Sequence, residues 1–177
     1  MTWIDTRVLL ACAIAYLMDV ARDVRGRELA LPTPCSEWDL HLLLEHVADG
    51  LAAVYEAGAG PIGPPPAAGA RQPDPAGVLR KNAARLLASD SPRGTVRNAD
   101  RCLPPGMLTA AAALDIAVHG WDIARARADP RPIPPDLARP LLGVAATVVP
   151  AAQRAPQFAP QFLISAHAPP GDRLVAY

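Results

Sequence analysis

Three polar residues recur at helical spacing in an otherwise apolar stretch past the middle of the chain: Asp115, His119 and Asp122. Residues three and four positions apart share one face of a helix, so the two carboxylates and the imidazole form one stripe. The other members of the stripe are small or apolar: Leu108, Ala111, Ala112 and Ala126. Polar groups among alanines are costly to bury unless something satisfies them, and a divalent metal ion satisfies an Asp-x-x-x-His pair. The stripe therefore predicts one half of a metal site.

A second helix, predicted over residues 39–57, carries the third candidate ligand, His46. Asp39 suits the N-cap of this helix because its carboxylate can accept the free backbone N–H groups of the first turn. Together, His46, Asp115 and His119 would supply three ligands. Three protein ligands leave an open coordination position, which is typical of catalytic rather than structural metal centres.

Each candidate ligand also has a simpler structural interpretation. His46 fits equally well as an ordinary histidine at the edge of a helix. Asp115 and Asp122 fit ordinary salt bridges, for example with Arg125, and a single Asp-x-x-x-His arises by chance in many helices. Two roles beside a metal site are also open: Asp122 could orient His119 through a hydrogen bond, and Asp122 or Arg125 could orient a thiol or a substrate.

The remaining histidines, a cysteine and two tryptophans are interpreted as structural. His41 follows the start of the second helix by two residues and is expected to be exposed, and His167 is expected on the surface of the tail. Cys35 has no neighbour in sequence that would activate its thiol. Trp38 and Trp121 are predicted to be packing residues rather than platforms for a cofactor.

The composition predicts one globular domain over residues 1–177, since 51% of the residues are hydrophobic. Lys+Arg and Asp+Glu both number 17, so nothing attracts nucleic acid or an anionic membrane electrostatically. The three cysteines are odd in number and widely spaced, which argues against a disulfide framework and fits a reducing cytoplasm.

The apolar run at 8–18 is too short to span a bilayer. No P-loop, Gly-x-Gly-x-x-Gly or Gly-x-Ser-x-Gly motif is present.

Helices are the elements that must position the candidate ligands. Apolar residues at helical spacing predict four main helices and one shorter helix: 5–24, 39–57, 74–89, 106–128 and 135–149. Gly26 is a plausible stop for the first helix, while Asp74 and Pro75 suit the start of the third. Four main helices with loops of mixed length predict an all-α four-helix bundle with an extra short helix and a mostly irregular C-terminal tail.

The connecting segments are predicted from their proline, glycine and alanine content. Residues 58–73 read as a loop, and residues 90–105 as an irregular segment or one with short extended pieces. The tail contains a possible strand at 162–166, then Pro-Pro-Gly at 169–171, and a last apolar stretch at 174–177.

Three segments of the chain carry a family resemblance. These are TPCSEWD at 33–39 with His46 eight residues after the tryptophan, DIAVHGWDIARA at 115–126, and APPGDRLVA at 168–176. They resemble the signatures of the DinB/YfiT-like metal-binding superfamily. More closely, they are similar to its actinobacterial branch, which is related to the N-terminal domain of mycothiol-dependent maleylpyruvate isomerase.

The resemblance implies a DinB-like bundle that holds a divalent metal, most often zinc and with nickel as the alternative, on His46, Asp115 and His119. Many superfamily members have His at the position of Asp115, and the isomerase has Glu. Asp is one methylene shorter than Glu, so the metal distance, affinity or identity is expected to differ. The isomerase's second domain has no counterpart in the matched segments, so maleylpyruvate is not implied as the substrate.

The leading functional hypothesis is a metal-dependent enzyme that uses mycothiol or a similar low-molecular-weight thiol. A bound cation stabilises deprotonated sulfur, which could add to a small electrophilic substrate in S-transfer or isomerisation. Two alternatives stay open: a specialised isomerase, cyclase or hydrolase of a biosynthetic pathway, and a non-catalytic protein that binds a small molecule or a metal. We expect a monomer or homodimer with a small-molecule partner and no nucleic-acid or membrane partner.

Overall fold

The computed structural model describes residues 5–59, 71–89, 96–98, 101–150, 154 and 160–177. Six α-helices, one 3-10 helix and two short strands are found there: α1 (Thr6–Val20), the 3-10 helix (Gly26–Ala30), α2 (Leu40–Ala59), α3 (Pro75–Ala88), β1 (Val96–Asn98), β2 (Arg101–Leu103), α4 (Pro105–Ala126), α5 (Pro135–Val148) and α6 (Pro170–Ala176). The predicted all-α, DinB-like bundle is confirmed. None of the described helices has both the length and the apolar character needed to cross a bilayer.

The main helices pack in two pairs, α1 along α4 and α2 along α3, and α2 also contacts α4. The apolar stripes that define these helices in the sequence supply the core. Its largest fully buried side chains include Ile14, Leu17, Leu43, Leu44, Leu51, Leu79, Ile123 and Leu141. Burying one such side chain contributes about 1.5–3 kcal/mol before the entropic cost of folding is subtracted. The stripes therefore decide which faces of the helices meet.

The side of α4 that faces α1 is built from small residues. Ala113, Ala117 and Ala124 are fully buried. At Gly120 the approach is closest, because an added Cβ would lie 2.9 Å from the ring of Tyr16 on α1. A glycine at this position therefore lets the two helices pack at short range.

Two predicted N-caps are confirmed by hydrogen bonds. The Asp39 carboxylate accepts the backbone N–H of Leu42 at 2.9 Å, and the Asp74 carboxylate accepts that of Gly77 at 2.8 Å. Each bond satisfies a donor that a helix start leaves unpaired. The short extended pieces expected between α3 and α4 are also found, as β1 pairs antiparallel with β2. Most of the predicted loop at 58–73 lies outside the described residues.

The first helix ends four residues before the predicted boundary. Its C-cap is Ala21, and Asp23 has a positive φ of 62°, which turns the chain out of the helix. Gly26 therefore begins the 3-10 helix instead of ending α1.

Arg127, just after α4, closes this corner of the bundle. Its guanidinium donates to the backbone carbonyl of Val20 at 2.7 Å and to the carboxylate of Glu28 at 2.9 Å. It thereby satisfies a carbonyl that the end of α1 leaves open and ties α4 to the 3-10 helix.

The expected strand at 162–166 is wrong, since the structure shows no strand within residues 160–165. Strand propensity alone does not form a sheet without a partner, and Phe162 and Leu163 are 74% and 101% exposed. The expected apolar stretch at the end of the tail forms α6 instead. Pro170 occupies its first turn, as helix starts favour, and Gly171 packs against the backbone of Ile133.

Candidate metal centre

The contact between α2 and α4 brings the three predicted ligands together. One donor atom from each of His46, Asp115 and His119 lies within 4.8 Å of the others. The Nε2 atom of His119 is 3.4 Å from a carboxylate oxygen of Asp115. The rings of His46 and His119 meet edge to face, with centroids 5.0 Å apart. The three candidate ligands thus lie at one place, and metal binding by them stays a prediction.

Asp122 lies beside His119, at the ring nitrogen that does not face Asp115. Its side chain is 6% exposed, and one of its carboxylate oxygens lies 3.0 Å from Nδ1 of His119. Because a carboxylate accepts, Nδ1 donates, and the ring presents its Nε2 atom towards Asp115. A carboxylate that holds the second ring nitrogen of a ligating histidine is a recurrent support in metal sites. Of the roles predicted for Asp122, the geometry favours the hydrogen bond that orients His119.

The pKa values of the two imidazoles are shifted in opposite directions. Burial works to lower the pKa of His119, but hydrogen bonds with Asp115, Asp122 and Cys35 outweigh it and raise the pKa to about 11. Desolvation lowers the pKa of His46, and the nearby Asp115 carboxylate only partly opposes this effect. At neutral pH His46 therefore keeps a free nitrogen lone pair, while His119 holds a proton in a site that favours positive charge.

The turn before α2 completes the surroundings of the two histidines. The hydroxyl of Thr33 donates to the backbone carbonyl of Trp38 at 2.8 Å and fixes the turn. The Trp38 ring then packs against His46, with centroids 4.6 Å apart, and the thiol of Cys35 lies 3.7 Å from the Asp122 carboxylate. Trp38 is thus a packing residue, as predicted, but the ring that it packs on belongs to the site.

Cys35 is the residue at this site that the sequence did not indicate as functional. It is a free thiol, and it forms a second potential ligand group with His119 and Asp122. One signal could have found it: Cys35 and Trp38 lie in the same TPCSEWD segment that carries the family resemblance.

His41 is buried, at 9% exposure, rather than exposed as expected. The segment before α3 passes over the first turn of α2, where Arg71 pairs with Asp39 at 2.9 Å. His41 bonds to Glu45 at 3.2 Å and contributes nothing to the candidate site. The neighbouring residues in the sequence do not predict that a distant segment of the chain covers His41.

Arg125, the other residue predicted to orient a thiol or substrate, lies over the ring of Trp121 at 4.9 Å. Its side chain is exposed, and it is absent from the lining of the cavity beside Asp115. Its proposed role stays a prediction without geometric support.

A cavity of about 470 Å³ opens beside Asp115 and His119, and α2, α4, α5 and α6 surround it. Gly50 on α2 lies in front of the carboxylate, since a Cβ there would be 3.8 Å from an oxygen of Asp115. The candidate metal centre is therefore accessible to a small molecule from the cavity side.

Comparisons with known proteins show which family the chain is similar to. A family model described as the mycothiol maleylpyruvate isomerase N-terminal domain matches residues 10–124. Two uncharacterized proteins of Mycobacterium tuberculosis, from strains CDC 1551 / Oshkosh and ATCC 25618 / H37Rv, are each 33% identical over 165 residues, which is 88% of this chain and 86% of the relative. No solved structure matches the chain. The family match includes all three candidate ligands and Asp122, but not α5 or α6.

Proposed function

The chain belongs to the family of the mycothiol maleylpyruvate isomerase N-terminal domain, and on that premise we propose that it is a metal-dependent enzyme. It uses mycothiol or a similar low-molecular-weight thiol, and it transfers this thiol to a small electrophilic substrate or isomerises that substrate. The location that fits this chemistry is the cytoplasm, where thiols stay reduced.

The observation that supports the proposal best is the convergence of His46, Asp115 and His119 within 4.8 Å. Imidazole nitrogens and a carboxylate oxygen are the ligands that zinc prefers, and three of them leave a position open for a co-substrate. Asp115 is shorter than the Glu of the isomerase, yet its oxygen still comes within 3.4 Å of Nε2 of His119. The donor set therefore fits a divalent cation.

A bound divalent cation would supply the positive charge that keeps the thiol co-substrate deprotonated. For S-transfer, the thiolate sulfur would form a bond to an electrophilic carbon of the substrate while a leaving group departs with its bonding electrons, or while the π electrons of a conjugated double bond move to its carbonyl and take up a proton. In an isomerisation, the adduct would rotate about the resulting single bond, and loss of the proton with cleavage of the carbon–sulfur bond would then restore the double bond and release the thiolate. Trp38 packs against the His46 ring, and the apolar wall of the cavity lies beside Asp115 and His119. Asp122 holds the His119 ring in one orientation throughout.

The first test is the metal content of the purified protein, measured by elemental mass spectrometry. We expect about one equivalent of zinc or nickel, and loss of that metal in both His46→Ala and His119→Ala. His167→Ala is the matched control, because His167 is exposed in the tail. A wild-type protein that holds no metal after incubation with zinc would contradict the proposal.

A second test addresses the reaction. Purified protein is mixed with mycothiol and 1-chloro-2,4-dinitrobenzene, whose chloride is displaced when sulfur binds the ring. We expect conjugation that depends on the metal and is lost in His119→Ala. Metal-loaded protein that conjugates none of several thiols to this or other electrophiles would count against a thiol transferase.

A further inference from the structure

The cavity beside the candidate metal centre has a lining of unusual composition for a site that handles polar metabolites. Of the described residues in its lining, Asp115, His119 and Arg154 have side chains that can carry a charge. Apart from Tyr177, the other described residues of the lining are glycine, alanine, valine, leucine or isoleucine. A volume of about 470 Å³ lies within the range of small-molecule sites.

Small residues on two helices create this space. Gly50 on α2 and Ala111 and Ala112 on α4 stand where larger side chains would fill the cavity. At Gly50 the geometry is explicit, because even a single Cβ would reach to 3.8 Å of the Asp115 carboxylate. The apolar space thus continues up to the candidate metal ligands.

Arg154 joins the lining from a different side of the cavity than Asp115 and His119 do. The guanidinium of Arg154 lies over the ring of Tyr177, 5.3 Å from its centroid. The Tyr177 hydroxyl in turn donates to the backbone carbonyl of Val149 at 3.1 Å, which ties this ring to the end of α5. Asp115 and His119 belong instead to the wall that α4 forms. The cavity therefore offers apolar walls between a cationic group and the candidate metal centre.

We propose that the electrophilic substrate is a molecule with an extended apolar body and one anionic group. The apolar body fills the space left by Gly50, Ala111 and Ala112, and Arg154 holds the anionic group. A compact dicarboxylate fits poorly, because it lacks an apolar body and would leave the space beside Gly50, Ala111 and Ala112 unfilled. This inference rests on the proposed function and specifies its substrate class.

Binding probes can test the cavity without turnover. Decanoate, decan-1-ol and maleate are titrated into the full chain by isothermal calorimetry, each below the concentration at which it self-associates. We expect decanoate to bind at least tenfold more tightly than either of the other two. Arg154→Gln should reduce the affinity for decanoate to that for decan-1-ol, since it removes only the cation.

Two variants fill the cavity. Gly50→Val and Ala112→Leu should each raise the Kd of decanoate at least tenfold. Gly143→Val is the matched control, because Gly143 is an exposed helical glycine with no atom within 4 Å of an added Cβ. Circular dichroism verifies that each variant folds, and Ala112→Leu provides the test if Gly50→Val does not.

Three outcomes overturn the inference: maleate binds as tightly as decanoate, both cavity-filling variants leave the decanoate Kd unchanged, or Arg154→Gln leaves the preference for decanoate over decan-1-ol unchanged. Titrations after treatment with EDTA separate this inference from the proposed function. Protein that binds decanoate but never zinc contradicts the metal-dependent function alone. Protein that binds zinc but not decanoate contradicts the substrate class alone.

Discussion

His119 lies between two carboxylates that have different tasks. Asp115 lies 3.4 Å from its Nε2 atom and belongs to the candidate ligand set, whereas Asp122 holds Nδ1 from a buried position at 3.0 Å. The same helical spacing that places both carboxylates near one imidazole therefore separates a ligand from its support. Of the two carboxylates, only Asp122 is buried. A substitution at Asp122 therefore tests the supporting role separately from the role of Asp115 as a candidate ligand.

Asp122→Asn should weaken zinc binding by about 10–100-fold, since loss of a carboxylate behind a ligating histidine has this effect in metal sites. The amide keeps nearly the same shape, so the fold should persist. The measurement is competition for zinc with a chromophoric chelator. Asp136→Asn is the control, because the Asp136 side chain is 97% exposed on α5. An unchanged affinity in Asp122→Asn would show that His119 does not need this support.

Among the elements, the pairing of α1 with α4 places a helical glycine directly against an aromatic ring. Gly120 admits no side chain without displacement of the Tyr16 ring, which lies 2.9 Å from an added Cβ. Tyr16 itself is held by a hydrogen bond from its hydroxyl to the Arg131 carbonyl at 3.3 Å. The ring consequently has little freedom to move aside.

Gly120→Ala and Gly143→Ala should therefore change stability in opposite directions. Alanine in a helix interior gains up to about 1 kcal/mol over glycine, and Gly143 has no atom within 4 Å of an added Cβ. At Gly120 the strain of overpacking, about 1–3 kcal/mol, outweighs this gain. Urea unfolding of both variants measures the two free energies. Equal stabilisation in both would mean that α1 and α4 are less closely packed than described.

The corner held by Arg127 predicts a pH dependence. The side-chain hydrogen bond from Arg127 lowers the pKa of Glu28 below its usual 4.5. A carboxyl whose pKa is lower in the folded state contributes stability above its unfolded pKa, and this stability is lost as the pH falls through the folded value. The Glu28 side chain is 33% exposed, so the contribution is at most about 1 kcal/mol.

Glu28→Gln should accordingly lose less stability than the wild type when the pH falls from 6 to 3. Towards pH 3 the two proteins should approach each other in unfolding free energy, because protonation of the wild-type carboxyl removes the charge that pairs with Arg127. Chemical unfolding at several pH values gives both curves. Parallel curves over this range would rule out a contribution from the Glu28–Arg127 pair.

For the molecule as a whole, the candidate metal centre joins α2 to α4, so a bound metal should stabilise the bundle. At a zinc concentration of about 100 times the Kd, linkage adds about 2.7 kcal/mol, which for this chain length raises Tm by about 5–10 °C. Differential scanning fluorimetry measures the shift, and His119→Ala should show none. A shift of equal size in that variant would place the zinc elsewhere.

Much of the fold was predictable because helix formation is local. The caps at Asp39 and Asp74 and the stripe with Asp115, His119 and Asp122 follow from residue types and spacing alone. The boundaries that failed have tertiary causes. At the end of α1, Arg127 from beyond α4 binds the Val20 carbonyl where the chain turns away before Asp23, and in the tail α6 forms where its buried Leu174 and Gly171 find a packing surface.

Residue types and their spacing along the chain were enough to predict the helices, their apolar stripes and the three polar side chains that share one face of α4. The packing of the helices was needed to show that His46 faces this stripe, that Cys35 and Trp38 lie beside it, that His41 is covered, and that an apolar cavity lies alongside. Helical spacing is local because it follows from hydrogen bonds over four residues. Which faces meet depends instead on the packing of all the apolar stripes at once.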